Sequence, residues 1–112
     1  MSTARLHHDL HGPEDAPALV FGPSLGTDLG LFDAQVAALS GEYRVIRFDL
    51  RGHGGSEVPP GPYTIGALAE DVIALLDSLA VHRFSYCGVS IGGAIGQWPV
   101  SYTHLRAHET LR

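Results

Sequence analysis

Residues 86–98 read YCGVSIGGAIGQW, and this stretch decides the fold. An apolar run, Arg83 to Val89, leads into it with the composition of a buried strand, and a helix is predicted from Ile91. Between them lies Gly88-Val89-Ser90-Ile91-Gly92, a G-x-S-x-G sequence. With a strand before it and a helix after it, that pattern puts the serine on a sharp turn above the C-terminal edge of a sheet. A side chain two residues to either side of Ser90 would collide as the strand folds back into the helix, which is why both positions are glycine. Gly93 and Gly96 add close packing of that helix on the sheet. A dinucleotide fingerprint would need glycine where Ser90 stands, and a phosphate loop would need G-K-[ST] in a chain that has no lysine. The turn alone leaves one bland alternative open, in which Ser90 merely caps the helix.

Outward from this point the chain alternates. Arg5 to His11 alternates loosely before the turn signal GPEDAP. Ala18 to Phe21 is a short apolar run that suits a buried strand, and it ends at Gly22-Pro23. From Leu29 to Leu39 the apolar residues Leu31, Phe32, Val36 and Leu39 fall near helical spacing, with Gly41 as a stop. Tyr43 to Leu50 is a second β-branched run, closed by RGHGGS and then by Pro59 and Pro60. Thr64 is placed to cap a helix through Leu79, with Leu68, Val72, Leu75, Leu76 and Leu79 inward and Glu70, Asp71 and Asp77 expected to face water. Strand and helix in alternation predict an α/β fold, a mostly parallel sheet with helices on both faces.

Composition sets the class. The 112 residues hold 45% hydrophobic and 17% charged residues, which is globular and amounts to one domain at most. The formal net charge of −5 argues against a nucleic-acid or anionic-membrane surface. No apolar run approaches the ~20 residues that cross a bilayer, and the N-terminus lacks the apolar centre of a signal peptide. A cytoplasmic protein is expected, with Cys87 as a buried structural thiol.

Two loops complete a candidate site. A carbonyl attacked by a serine becomes an oxyanion, and two backbone N–H groups should await that charge. Ile91, after the serine, fits the first role, and Leu25 in the early loop FGPSLGTD fits the second. In FDLRGHGGS, His53 belongs to a loop after a different strand and is disfavoured as a general base, while Asp49 and Arg51 are expected to brace that loop.

DLRGHGGS followed by GVSIGG resembles the N-terminal half of the α/β-hydrolase superfamily, over about Arg5 to Trp98. SLGTDLGLFDAQ, VPPGPYTI and SIGGAIGQW look like the 3-oxoadipate enol-lactonases of aromatic catabolism. The resemblance implies acyl transfer by a serine triad without cofactor or metal, on a small-molecule ester or lactone. Ser90 matches the nucleophile, and Leu25 and Ile91 match the oxyanion donors. A general esterase or a cofactor-free haloperoxidase of the same fold is the nearest alternative, and a truncated, non-catalytic binding module is another.

The resemblance also implies that the acid and the histidine follow the serine in the chain. Residues 1–98 read as the hydrolase portion. Pro99 interrupts the helix, and PVSYTHLRAHETLR resembles translated sequencing-adapter sequence, so 99–112 are expected to form a non-native or disordered tail. His104 and His108 are helically spaced with Glu109 adjacent, but two histidines without a third ligand make neither a metal site nor a triad. The fragment is therefore expected to be truncated after its serine turn, catalytically inactive and poorly soluble or partly folded, with Phe84 to Val89 an unprotected sheet edge.

Overall fold

Three short apolar runs become the centre of one sheet because each can bury both of its faces only between neighbouring strands and covering helices. The computed structural model describes residues 3–61, 63–97 and 108–111, with the backbone alone at 97 and 108–111. Strand β2 (Ala18–Gly22) lies parallel between β3 (Arg44–Phe48) and β4 (Ser85–Gly88). Strand β1 (His8–His11) pairs antiparallel with β3, and β5 (His108–Leu111) runs parallel beside β4. The spatial order is β1-β3-β2-β4-β5, so the chain crosses over β2 on its way from β3 to β4.

Side chains divide with the period of two that strands impose. Val20 aligns with both Ile46 and Tyr86, and these pack with Phe48 under α2 (Ile65–Ser78) and α3 (Ile91–Gln97). Phe21 and Val45 point the other way, toward Phe32, Val36 and Leu39 of the segment that follows β2. That segment is a 3₁₀ turn, Leu29–Phe32, leading into a short helix α1 (Asp33–Leu39), where the spacing had predicted one helix. Asp28 caps the 3₁₀ turn by accepting from the Gly30 N–H, which stops helical geometry from extending back into the loop.

Helix α2 begins where expected, with Thr64 Oγ1 accepting from the Ala67 N–H at 3.0 Å, a cap worth about 1 kcal/mol. Its buried Leu68, Val72, Leu75 and Leu76 contribute on the order of 1.5–3 kcal/mol each as an upper bound. One expectation on this helix fails. Asp71 does not face water; it is 1% exposed and accepts from Arg51 Nε at 2.6 Å and Arg51 Nη2 at 2.8 Å. The apolar spacing of α2 marks Asp71 as flanking its inner face, and the charge it meets comes from a loop twenty residues earlier.

Two further expectations change. The edge of β4 is not bare, because the backbone of 108–111 lies along it in parallel register, Ser85 beside His108 and Gly88 beside Leu111. Parallel pairing satisfies the outer N–H and C=O groups of β4 and moves the open edge outward by one strand. Cys87 is half-buried rather than buried. It lines an apolar groove of about 470 Å³ with Leu19, Phe21, Leu39 and Val89. The expectations for His104 and for Pro99 and the residues after it to 107 lie outside the described residues, as do the side chains of His108 and Glu109.

Candidate active site

Strand β4 ends at Gly88, and Val89 extends its pairing by donating to Gly22 O at 3.1 Å. The chain then reverses at Ser90, whose φ of +57° is left-handed backbone in a residue that carries a Cβ. Such a conformation costs about 1–2 kcal/mol and persists only where the surroundings enforce it. Helix α3 starts at once: Gly93 and Ala94 donate to Ser90 O at 3.0 and 3.2 Å, and Gly92 donates to Val89 O at 2.9 Å. The Ser90 hydroxyl accepts from none of these N–H groups, and Ser90 is exposed. A capping serine would be extended and would bond the second or third helical N–H, so the capping alternative does not describe this residue.

What enforces the turn is close approach. A Cβ on Gly88 would sit 2.5 Å from the backbone of Gly92 and Gly93, and one on Gly92 would run into the carbonyls of Gly22 and Pro23. Backbone cannot step aside as a flexible side chain can, so the steric role read from the sequence holds at both positions. Tyr86 is a member of the site that the sequence did not single out. Its hydroxyl donates to Gly92 O at 2.8 Å, and its ring occupies the space a side chain would need at Gly22 and Gly96. The signal was present as an aromatic residue in the strand facing the glycines of α3, but an aromatic in a strand reads first as core.

The loop after β2 stands against this elbow, because Gly92 packs on Gly22 and Pro23. Residues 24–27 form a tight turn in which Ser24 O accepts from the Thr27 N–H at 3.2 Å and from Thr27 Oγ1 at 2.7 Å. Gly26, at φ +81°, supplies the left-handed third position that a type II turn requires. Leu25 precedes it, 66% exposed, with its N–H donating to no group among the described residues. The Ile91 N–H, next after Ser90, is likewise undonated there. The fold thus brings Ser90, Ile91 and the Leu25 loop to one sheet edge.

His53 is not part of this group. Its Nδ1 donates to Arg51 O at 3.0 Å, and no hydrogen bond joins it to Ser90. It lines a cleft of about 400 Å³ with Gly26, Thr27, Asp28, Leu31 and Gly54. Arg51 and Asp49 do brace the loop between β3 and α2. The Arg51 guanidinium is held above its ordinary pKa by its bonds to Asp71, against the opposing effect of burial, and it lies over the Tyr63 ring at 5.3 Å. On the opposite sheet face Arg47 bonds Asp9 at 2.6 Å and Asp33 at 2.6 Å.

Known proteins resemble this chain in sequence and in fold. A family model for the alpha/beta hydrolase fold matches residues 17–102. The 3-oxoadipate enol-lactonase 2 of Acinetobacter baylyi is 48% identical over 93 residues, 83% of this chain and 35% of the relative. The solved enol-lactonase of Burkholderia xenovorans LB400 superposes with a TM-score of 0.87 at 45% identity, covering 93% of this chain and 41% of that one. Est816, described as an N-acyl homoserine lactone degrading enzyme, superposes with a TM-score of 0.87 at 32% identity, over 96% of this chain and 41% of its own. The chain therefore spans about a third of the length of the curated relative it matches. By the reach of the family match and by its elbow, the chain belongs to the α/β-hydrolase family.

Proposed function

We propose that this chain carries the nucleophile and oxyanion half of a serine hydrolase that opens a lactone, with 3-oxoadipate enol-lactone in cytoplasmic aromatic catabolism as the substrate. The single observation behind this reading is Ser90 at φ +57°, exposed and uncapped, with the next N–H, that of Ile91, donating to no group among the described residues. In the first step the Ser90 Oγ adds to the lactone carbonyl carbon, and the oxyanion receives the N–H groups of Leu25 and Ile91. The ring C–O bond then breaks, which leaves an acyl ester on Ser90 and releases the ring oxygen as an enol. Water attacks that ester, the Ser90 Oγ–C bond breaks, and the free acid departs. The serine proton must pass to a base and on to the leaving oxygen, and no side chain among the described residues hydrogen-bonds the Ser90 hydroxyl to take it.

Residues 1–98 are on this reading the hydrolase portion, 99–112 a non-native segment, and the 112-residue chain does not turn over. A fluorophosphonate probe tests the elbow without requiring turnover. One equivalent is expected to add slowly to the parent chain, not to Ser90→Ala, and to His53→Ala at the parent rate. Labelling that survives Ser90→Ala, or a parent chain that never labels, sinks the nucleophile assignment. Catalytic hydrolysis of the enol-lactone by the parent chain sinks the expectation that it is inactive.

A further inference from the structure

Asp49 is 1% exposed, and its carboxylate collects donors from three separate parts of the chain. Oδ1 accepts from the Leu29 N–H at 2.6 Å. Oδ2 accepts from His7 Nδ1 at 2.8 Å and from the Gly55 N–H at 2.9 Å. The Asp49 main chain adds two more ties, its N–H donating to His7 O at 2.9 Å and its C=O accepting from Ser56 Oγ at 2.6 Å. Gly54, at φ +49°, brings its backbone against the carboxylate so closely that a Cβ there would overlap it. A buried carboxylate is tolerated only with donors such as these, and short bonds from N–H to an ionised oxygen are among the stronger ones.

Two of those donors matter for the site. Leu29 ends the loop that carries Leu25, and Gly55 follows the His53-Gly54 pair. The near end of the Leu25 loop is already fixed, since Gly22 O accepts from Val89 and Gly92 packs on Gly22 and Pro23. Its far end has two side-chain anchors from outside, Asp49 Oδ1, which accepts from the Leu29 N–H, and Arg47 Nη1, which donates to Leu29 O at 3.0 Å; only the first also reaches the far wall of the cleft. The cleft of about 400 Å³ next to the Leu25 loop has Gly26, Thr27, Asp28 and Leu31 on one side and His53 and Gly54 on the other. Asp49 bonds into the chain segment behind each side.

From this geometry we infer that Asp49 is a positioning residue: it holds the Leu25 N–H in place for the oxyanion and sets the spacing of the cleft beside it. The inference rests on the reading of Leu25 and Ser90 proposed above. It also separates two substitutions. Asp49→Ala removes both ties and leaves the part-buried Leu29 and Gly55 N–H groups without their acceptor. Asp49→Asn keeps an oxygen for Leu29, turns its amide toward His7, whose ring can change tautomer to accept, and loses only the Gly55 bond.

Amide hydrogen exchange read by mass spectrometry on the full chain tests this directly. In Asp49→Ala, exchange over 24–31 and over 52–57 is expected to speed at least tenfold, with β3 changed less than threefold. In Asp49→Asn, only 52–57 should speed, and 24–31 should stay within threefold of the parent. Fluorophosphonate labelling of Ser90 should slow at least tenfold in Asp49→Ala and recover to within threefold in Asp49→Asn, given that one oxyanion donor is worth roughly 10²–10³ in rate. Unchanged exchange over 24–31 in Asp49→Ala overturns the tie, and equal labelling rates overturn the positioning role. If Asp49→Ala unfolds, so that β3 exchanges with the rest, the asparagine pattern decides, and its failure overturns the inference. A parent chain that Ser90 labelling leaves unmodified sinks the nucleophile reading, while the exchange pattern still decides the tie.

Discussion

On one face of the sheet Val20, Ile46, Phe48 and Tyr86 disappear beneath α2 and α3, while on the other Leu19, Cys87 and Val89 stay half-buried beside a groove bordered by α1 and the 3₁₀ turn before it. The difference follows from helix length. Helix α2 has 14 residues and lays four large aliphatic side chains on the sheet, whereas α1 has seven and none of them is fully buried. Burial scales with the apolar area removed from water, so the two faces should contribute unequally to stability. The elbow draws on the better-built face, since Tyr86, which locks Gly92 in place, belongs to that core.

The largest expected effect tests this inequality. Phe48→Ala, at a site with no exposure, should cost about 3–5 kcal/mol. Leu19→Ala, beside the groove, should cost about 1 kcal/mol, because no closed cavity is left behind. Urea unfolding of the two variants measures both against the parent chain. Equal losses would mean that something covers the groove in solution and that the faces are not unequal after all.

The better-packed face was also the more legible one. Leu68, Val72, Leu75 and Leu76 recur at helical spacing, and the Thr64 cap stands at the head of the pattern, so a local rule suffices to find α2. The same holds for Ser90, whose neighbours Gly88 and Gly92 announce a close approach within five residues of sequence. Contacts between distant segments were not legible. Nothing local at Asp71 foretells Arg51, and the donors on Asp49 come from His7, 42 positions away, and Leu29, 20 positions away. Polar side chains carry no periodic signal, so their partners appear only when the topology sets β1 beside β3 and the β2 loop above it.

The charges differ between the faces as the packing does. Arg51 meets a carboxylate that is almost wholly buried, while Arg47 meets Asp9, whose side chain is 30% exposed, and Asp33, whose side chain is 78% exposed. Burial pushes the Asp9 carboxyl upward, but bonds from Arg47 and His11 outweigh it and leave the group below its ordinary range. A carboxylate with a lowered folded pKa stabilises fully above its unfolded value, near pH 4, and the contribution fades as pH falls from there through the folded value. The parent should therefore lose about 1 kcal/mol or less from this pair on acidification below pH 4. Asp9→Asn should remove that part of the slope in urea midpoints taken between pH 5 and pH 2. An unchanged slope would mean that Arg47 leans on Asp33 alone.

The smallest effect sets two residues of identical backbone against each other. Ala80 and Ser90 both lie at φ +57°, each with a Cβ that this conformation disfavours. At Ala80 the reason is the end of α2, where the Ala80 N–H donates to Asp77 O at 3.0 Å and the Val81 N–H to Leu76 O at 2.9 Å, the paired bonds of a Schellman motif. Glycine suits that position better, and Ala80 is exposed, so little packing is lost with its methyl. Ala80→Gly should relieve about 1–2 kcal/mol of left-handed strain and give back roughly 0.4–1 kcal/mol to the freer unfolded chain, a net gain of about 0.5–1 kcal/mol. Ser90→Gly should gain a similar amount in the same urea assay, because its hydroxyl makes no hydrogen bond within the described residues. At Ala80 the strain ends a helix that a glycine would end more cheaply; at Ser90 it holds a hydroxyl clear of the sheet. A loss of stability in Ser90→Gly would show instead that the serine side chain supports the fold, and its place as the reacting group would fall with that result.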